Sequence, residues 1–274
     1  MRKIIWLITL LMQLQMIAQD SEIRPLYNHD FDSGSYQYLF ADQVKLRENA
    51  STDSEVLAIL PINTMIKIIL KSENAMEFDG VLSPWYRVEV DGKEGYILGA
   101  LIALDRVSSS KTFTDFLFQV SRSDNDKEQL KVRTTQDNST YEEAIFDLWN
   151  SDFDVEINSG KHLKGIDNIV KIDYISEACG IEGGFTYLIW NQEALTLLAN
   201  VSQIADAGIF SFQEQLIFPT DEEGEANAIG YKLERITFED DSLNWTKTVI
   251  IQRSFQWEGL ETVKELNLFQ RKTD

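Results

Sequence analysis

Apolar and polar residues alternate along this chain in short runs, and polar or glycine-containing turns separate the runs at near-regular spacing. A period of two predicts strands rather than helices. The clearest run covers residues 85–90, where Trp85, Arg87 and Glu89 fall on one side and Tyr86, Val88 and Val90 on the other. Asp91-Gly92 follows, and this dipeptide favours a two-residue hairpin because both central positions of a type I′ turn need positive φ. Gly95-Tyr96-Ile97-Leu98 is the expected return strand. Upstream, residues 44–47 and 56–60 read as strands around a turn at 49–54. Residues 65–70 read as a β-branched strand, and 71–84 as a long loop.

Beyond residue 104 the pattern stays strand-like. Residues 105–114, with Ser108-Ser109-Ser110, are expected to be a linker. Residues 116–120 and 129–133 flank a polar turn and predict a hairpin. Ser139-Thr140-Tyr141-Glu142 fits a capping box opening a helix or the start of a strand, and the surrounding β pattern favours the strand. Further strands are expected at 153–157, 168–175, 185–190, 194–199, 209–218, 231–238 and 245–253. Residues 239–242 would turn the last of these hairpins, and a final strand is expected near 262–266. The fold class is therefore all-β: a small N-terminal barrel at 38–104, then a larger antiparallel domain at 115–274 built as a sandwich or a meander.

The first residues change where the protein is expected to reside. Arg2-Lys3 precedes an apolar run from Ile4 to Met12, and the small Ala18 stands before polar Gln19-Asp20. This is the layout of a cleavable signal peptide over residues 1–18, followed by a leader at 19–37. A membrane anchor needs about 20 apolar residues, and Gln13 and Gln15 interrupt the run too early. No membrane span is expected after cleavage, and the mature protein is expected in the periplasm or outside the cell.

Charge narrows the partners. The formal charge is −20 and the aromatic fraction 11 %. Removing residues 1–18 takes away Arg2 and Lys3 and no acid, which makes the charge more negative still. So acidic a chain repels phosphate backbones, and nucleic-acid binding is excluded. The single cysteine, Cys179, rules out an internal disulfide, and it is expected to be a small buried hydrophobe.

The residues from 38 to 104 resemble the bacterial SH3 family. The resemblance rests on Val44-Lys45-Leu46-Arg47, on Val56-Leu57-Ala58-Ile59-Leu60, and on the spacing of Trp85, Asp91-Gly92 and Gly95. The chain departs from the family pattern at Asn63 for the usual glycine, Ala50 for proline and Tyr96 for tryptophan, and its loop around Asp79 is longer. Asn tolerates positive φ, so the first departure is mild. The resemblance implies a small barrel and a binding role toward a cell-wall peptide or an envelope protein. An extended peptide in an aromatic groove would meet Trp85, Tyr86 and Tyr96, with Arg47 and Arg87 facing carboxylates. Packing of Trp85 and Tyr96 in the barrel core is the competing expectation. The region after the barrel resembles β-rich tails that follow such domains in other exported proteins, a likeness that brings no activity with it.

Catalytic chemistry is poorly supported. A papain-like hydrolase, the kind of enzyme such barrels accompany, needs a histidine downstream of its cysteine, whereas His29 and His162 both precede Cys179. Two histidines and one cysteine do not build a structural zinc site. Asp124-Asn125-Asp126-Lys127-Glu128 alternates oxygen ligands but lacks the glycine and distal glutamate of a calcium loop, and reads as a turn. The acidic stretch 221–225 reads as a solvated loop with room for loose calcium binding. No phosphate-binding loop or cofactor signature is present. The expectation is a non-enzymatic binding or scaffold protein. The alternative is an envelope hydrolase with its active site in the second domain.

Overall fold

The computed structural model describes residues 30–150, 152–175, 179–206, 209–238 and 246–273. The expected signal peptide, the leader before Asp30 and the turn at 239–242 lie outside the described residues. The described residues are nearly all β, with antiparallel pairing throughout.

Strands β1 (Tyr36–Tyr38), β2 (Val44–Arg47), β3 (Val56–Leu60), β4 (Met65–Phe78), β5 (Val81–Val90) and β6 (Lys93–Leu98) form one curled sheet in the order β1-β4-β5-β6-β2-β3. Its concave side encloses a core of Leu39, Leu46, Ile66, Ile68, Val88 and Ile97, among others. The alternation seen in the sequence is the cause: Tyr86, Val88 and Val90 turn inward. Asp91 and Gly92 take φ of 50° and 73°, the positive pair that a type I′ turn requires. Asn63 sits at φ 59°, so it fills the glycine position in the left-handed conformation.

Two expectations for this region change. Residues 71–84 are no loop. β4 and β5 continue to a hairpin tip at Asp79 and Gly80, with φ of 57° and 75°, and the excess residues 72–74 bulge out of β4. The residues from Asp30 onward also belong to the barrel rather than to a leader. Gly34 N–H donates to Ile68 O at 2.8 Å, the Phe31 ring meets Tyr86 edge-on at 5.2 Å, and β1 pairs with β4.

The expected linker is also structured. Strand β7 (Asp105–Ser109) opens a four-stranded sheet, β10-β9-β8-β7, with β8 (Thr114–Arg122), β9 (Glu128–Thr135) and β10 (Glu142–Asp147). The ambiguous 139–142 segment therefore leads into a strand. β11 (Phe153–Ser159), β12 (Asn168–Tyr174), β13 (Gly183–Trp190), β14 (Leu195–Asp206), β15 (Phe210–Ile217), β16 (Ala228–Phe238) and β17 (Thr246–Gln256) complete the β structure as a seven-stranded meander in sequence order. Sandwich and meander are thus both present. Phe116, Phe118, Leu130 and Val132 of the smaller sheet pack on Val170, Ile172, Leu188 and Trp190 of the larger.

The final strand expected near 262–266 is instead a helix, α1 (Leu260–Thr273). Val263 and Leu266 recur at helical spacing and cover the second core, which holds Leu198, Val201, Leu216, Tyr231 and Phe255. Thr262 Oγ1 anchors the first turn by accepting from Glu258 N–H at 2.7 Å and donating to Gln256 O at 2.8 Å.

Candidate functional site

The five residues singled out from the sequence divide between two sides of the barrel sheet. Tyr86 faces inward and is fully buried, and its hydroxyl lies 3.3 Å from Asp30 Oδ1 and accepts from Phe31 N–H at 3.4 Å. Burial pushes this phenol up to about 12, and the adjacent Asp30 carboxylate adds to the shift. Trp85 is only 5 % exposed, opposite the β4 bulge. Neither ring is presented to a ligand. The strand alternation that places Val88 and Val90 in the core takes Tyr86 with them.

The other three come together. Arg47 is the cross-strand partner of both Val56 and Tyr96, Tyr96 is opposite Arg87, and Arg87 is opposite Leu70. One row, Val56-Arg47-Tyr96-Arg87-Leu70, therefore runs over five strands on the outer side of the sheet. Its ends are apolar and exposed, at 40 % for both Val56 and Leu70. The sequence reading missed these two, because only the pairing register shows that they flank the arginines. Gly95 makes the row possible: a Cβ there would stand 2.7 Å from Leu46 Cγ and 2.8 Å from Arg47 O, so only glycine lets β6 approach β2 this closely.

Both arginines are held in place. Arg47 Nη1 donates to Ser54 O at 2.7 Å and closes the loop between β2 and β3. Arg87 pairs with Glu94 on the same face. An incoming carboxylate would compete with Glu94 for Arg87, while Arg47 keeps donors to spare after its single bond.

The cysteine differs from expectation: Cys179 is exposed rather than buried. His162 lies in the loop before β12 and Cys179 in the loop after it. Seven strand residues at about 3.3 Å each put the two loops roughly 20 Å apart, too far for a nucleophile and its base. Residues 123–127 form a tight turn, with Asp126 N–H donating to Ser123 O at 2.9 Å. Among the described residues no group of three or more His, Cys, Asp and Glu side chains is placed to hold a metal ion. No helix among them is long and apolar enough to cross a membrane.

No curated protein and no solved structure matches this chain. Residues 42–103, the stretch that curls into the barrel and carries the Arg47-Tyr96-Arg87 row, match the family of the bacterial SH3 domain. Asn63 in the left-handed position and the geometry of Asp91-Gly92 and Gly95 agree with this match to the bacterial SH3 domain over residues 42–103.

Proposed function

We propose that this is an exported, non-enzymatic binding protein whose barrel recognises a cell-wall peptide or another envelope protein. Bacterial SH3 domains commonly bind cell-wall components. The single observation that supports a ligand surface here is the outward row Val56-Arg47-Tyr96-Arg87-Leu70. It combines an amphipathic ring, two guanidinium groups and apolar ends, which suits an extended peptide carrying carboxylates. Export rests on the basic, apolar and small-residue order of residues 1–18.

Retention of purified protein on insoluble peptidoglycan tests this reading. The native chain should sediment with it. Tyr96→Ala combined with Arg47→Ala should weaken retention roughly fivefold or more, the loss expected when a binding surface is stripped of its anchors. Equal retention of both proteins, with unchanged circular dichroism, overturns the assignment of this face. Trp85→Ala is unsuitable, because a ring 5 % exposed would report on folding.

A further inference from the structure

The seven-stranded meander holds a cleft of about 300 Å³ that has no counterpart in any local sequence motif. That volume is at the lower end of the range for small-ligand pockets, about 300–1,000 Å³. Its floor is Tyr187, flanked by Phe185 at 6.2 Å and Phe218 at 5.5 Å between ring centroids. Its walls carry both signs of charge in compensated pairs. Lys161 Nζ lies 3.3 Å from Asp221 Oδ1, and Lys171 Nζ lies 3.8 Å from Asp173 Oδ2 and 3.9 Å from the centre of the Phe185 ring. Glu156 is opposite Lys171 and Lys171 opposite Tyr187, so acid, amine and phenol form one cross-strand row. Glu214 is already satisfied: it accepts from Ser202 N–H at 2.8 Å and from Ser202 and Tyr231 hydroxyls.

The Tyr187 hydroxyl has no hydrogen-bond partner among the described residues, and burial with nearby Asp221, Asp173 and Glu156 pushes it up to about 12. It therefore stays a donor at any physiological pH. An anionic ligand would meet Glu156 and Asp221, and a cationic one would meet two ammonium groups. A neutral polyhydroxyl ring satisfies both, since each hydroxyl donates to a carboxylate and accepts from an ammonium or phenol while its C–H face rests on an aromatic ring. We infer that this cleft binds one or two neutral sugar rings over Tyr187, as a second recognition site independent of the barrel face.

Calorimetric titration of the purified protein with cellobiose and with N,N′-diacetylchitobiose tests the inference, with digalacturonate as the anionic counterpart. A neutral disaccharide should bind with a dissociation constant on the order of 1 mM. Tyr187→Phe should weaken it about three- to tenfold, as loss of one hydrogen bond does. Gln213→Ala with Gln215→Ala, on the exposed rim of the cleft, should also weaken it and stands in if Tyr187→Phe folds poorly. Tyr96→Ala on the barrel should leave it unchanged, which separates this site from the peptidoglycan reading. No heat with either neutral sugar, stronger binding of digalacturonate, or loss of binding only in Tyr96→Ala each overturns it.

Discussion

Gly95 shows how one missing side chain shapes the barrel. A Cβ at that position would press against both the Leu46 side chain and the Arg47 carbonyl, and the second of these is backbone that cannot rotate away. Gly95→Ala should therefore cost ~1–3 kcal/mol, as overpacking does, read as a lower urea midpoint at unchanged slope. Gly80 has the same role at the other hairpin, where a Cβ would meet Arg122 Cβ at 2.8 Å. Tyr86 and Tyr187 make a prediction about pH. Both phenols are raised from 10.0 to about 12 in the folded chain, so the folded state holds their protons longer than the unfolded one. Their contribution is whole below pH ~10 and is lost as pH rises through ~12. Phenolate absorbance should show these two tyrosines titrating late, along with Tyr174, whose phenol burial also pushes up, together with alkaline unfolding. Reversible ionisation of all nine tyrosines at about pH 10, with no late phase, would contradict it.

At the scale of elements, β8 and α1 are the informative cases. Phe116, Phe118 and Val120 of β8 face the meander, while Leu117 between them joins Phe40, Ile62 and Ala103 under the barrel. A strand buried on both sides reads as an unbroken apolar run, and Phe116-Leu117-Phe118 reads that way. In α1, Val263 and Leu266 lie inward and the Phe269 ring meets Tyr231 at 5.5 Å and Phe255 at 5.7 Å. The three-residue spacing was visible in the sequence, but the preceding row of strands favoured one more strand as its continuation. Leu266→Ala should cost ~2–5 kcal/mol, measured by chemical denaturation, because the fully buried side chain closes the second core.

Across the whole molecule, polar contacts tie the barrel to the four-stranded sheet at both ends, in addition to the apolar contact of Leu117 and the bond from Arg133 to Phe40 O between them. Arg106 pairs with Asp115 at 2.7 Å, donates to Asn63 Oδ1 at 2.9 Å and lies over the Tyr38 ring at 4.1 Å. Asn63 in turn donates to Asp115 and to Asn138, each at 2.7 Å. At the far end Lys131 pairs with Asp79 on the β4–β5 tip, and Arg122 N–H donates to Asp79 O at 3.0 Å. With contacts at both ends, the barrel and the four-stranded sheet should unfold in one calorimetric transition. Arg106→Ala should lower its midpoint, at a cost of ~1–3 kcal/mol for the partners left unpaired. Two separate transitions, with only one moved by the substitution, would show the barrel to be autonomous.

Alternation, the Asp91-Gly92 turn and the spacing to Gly95 determined the β class and the barrel from sequence alone, because strand period and positive φ are local properties of consecutive residues. The two arginines and Tyr96 were equally visible, although Trp85 and Tyr86 looked like their companions. Only the tertiary structure decided which rings are core, that Val56 and Leu70 complete the outer row, and that Tyr187, Lys161 and Asp221 meet in one cleft. Those relations depend on register between strands far apart in the chain. A shift of one residue in that register exchanges the two sides of a sheet without altering a single local pattern.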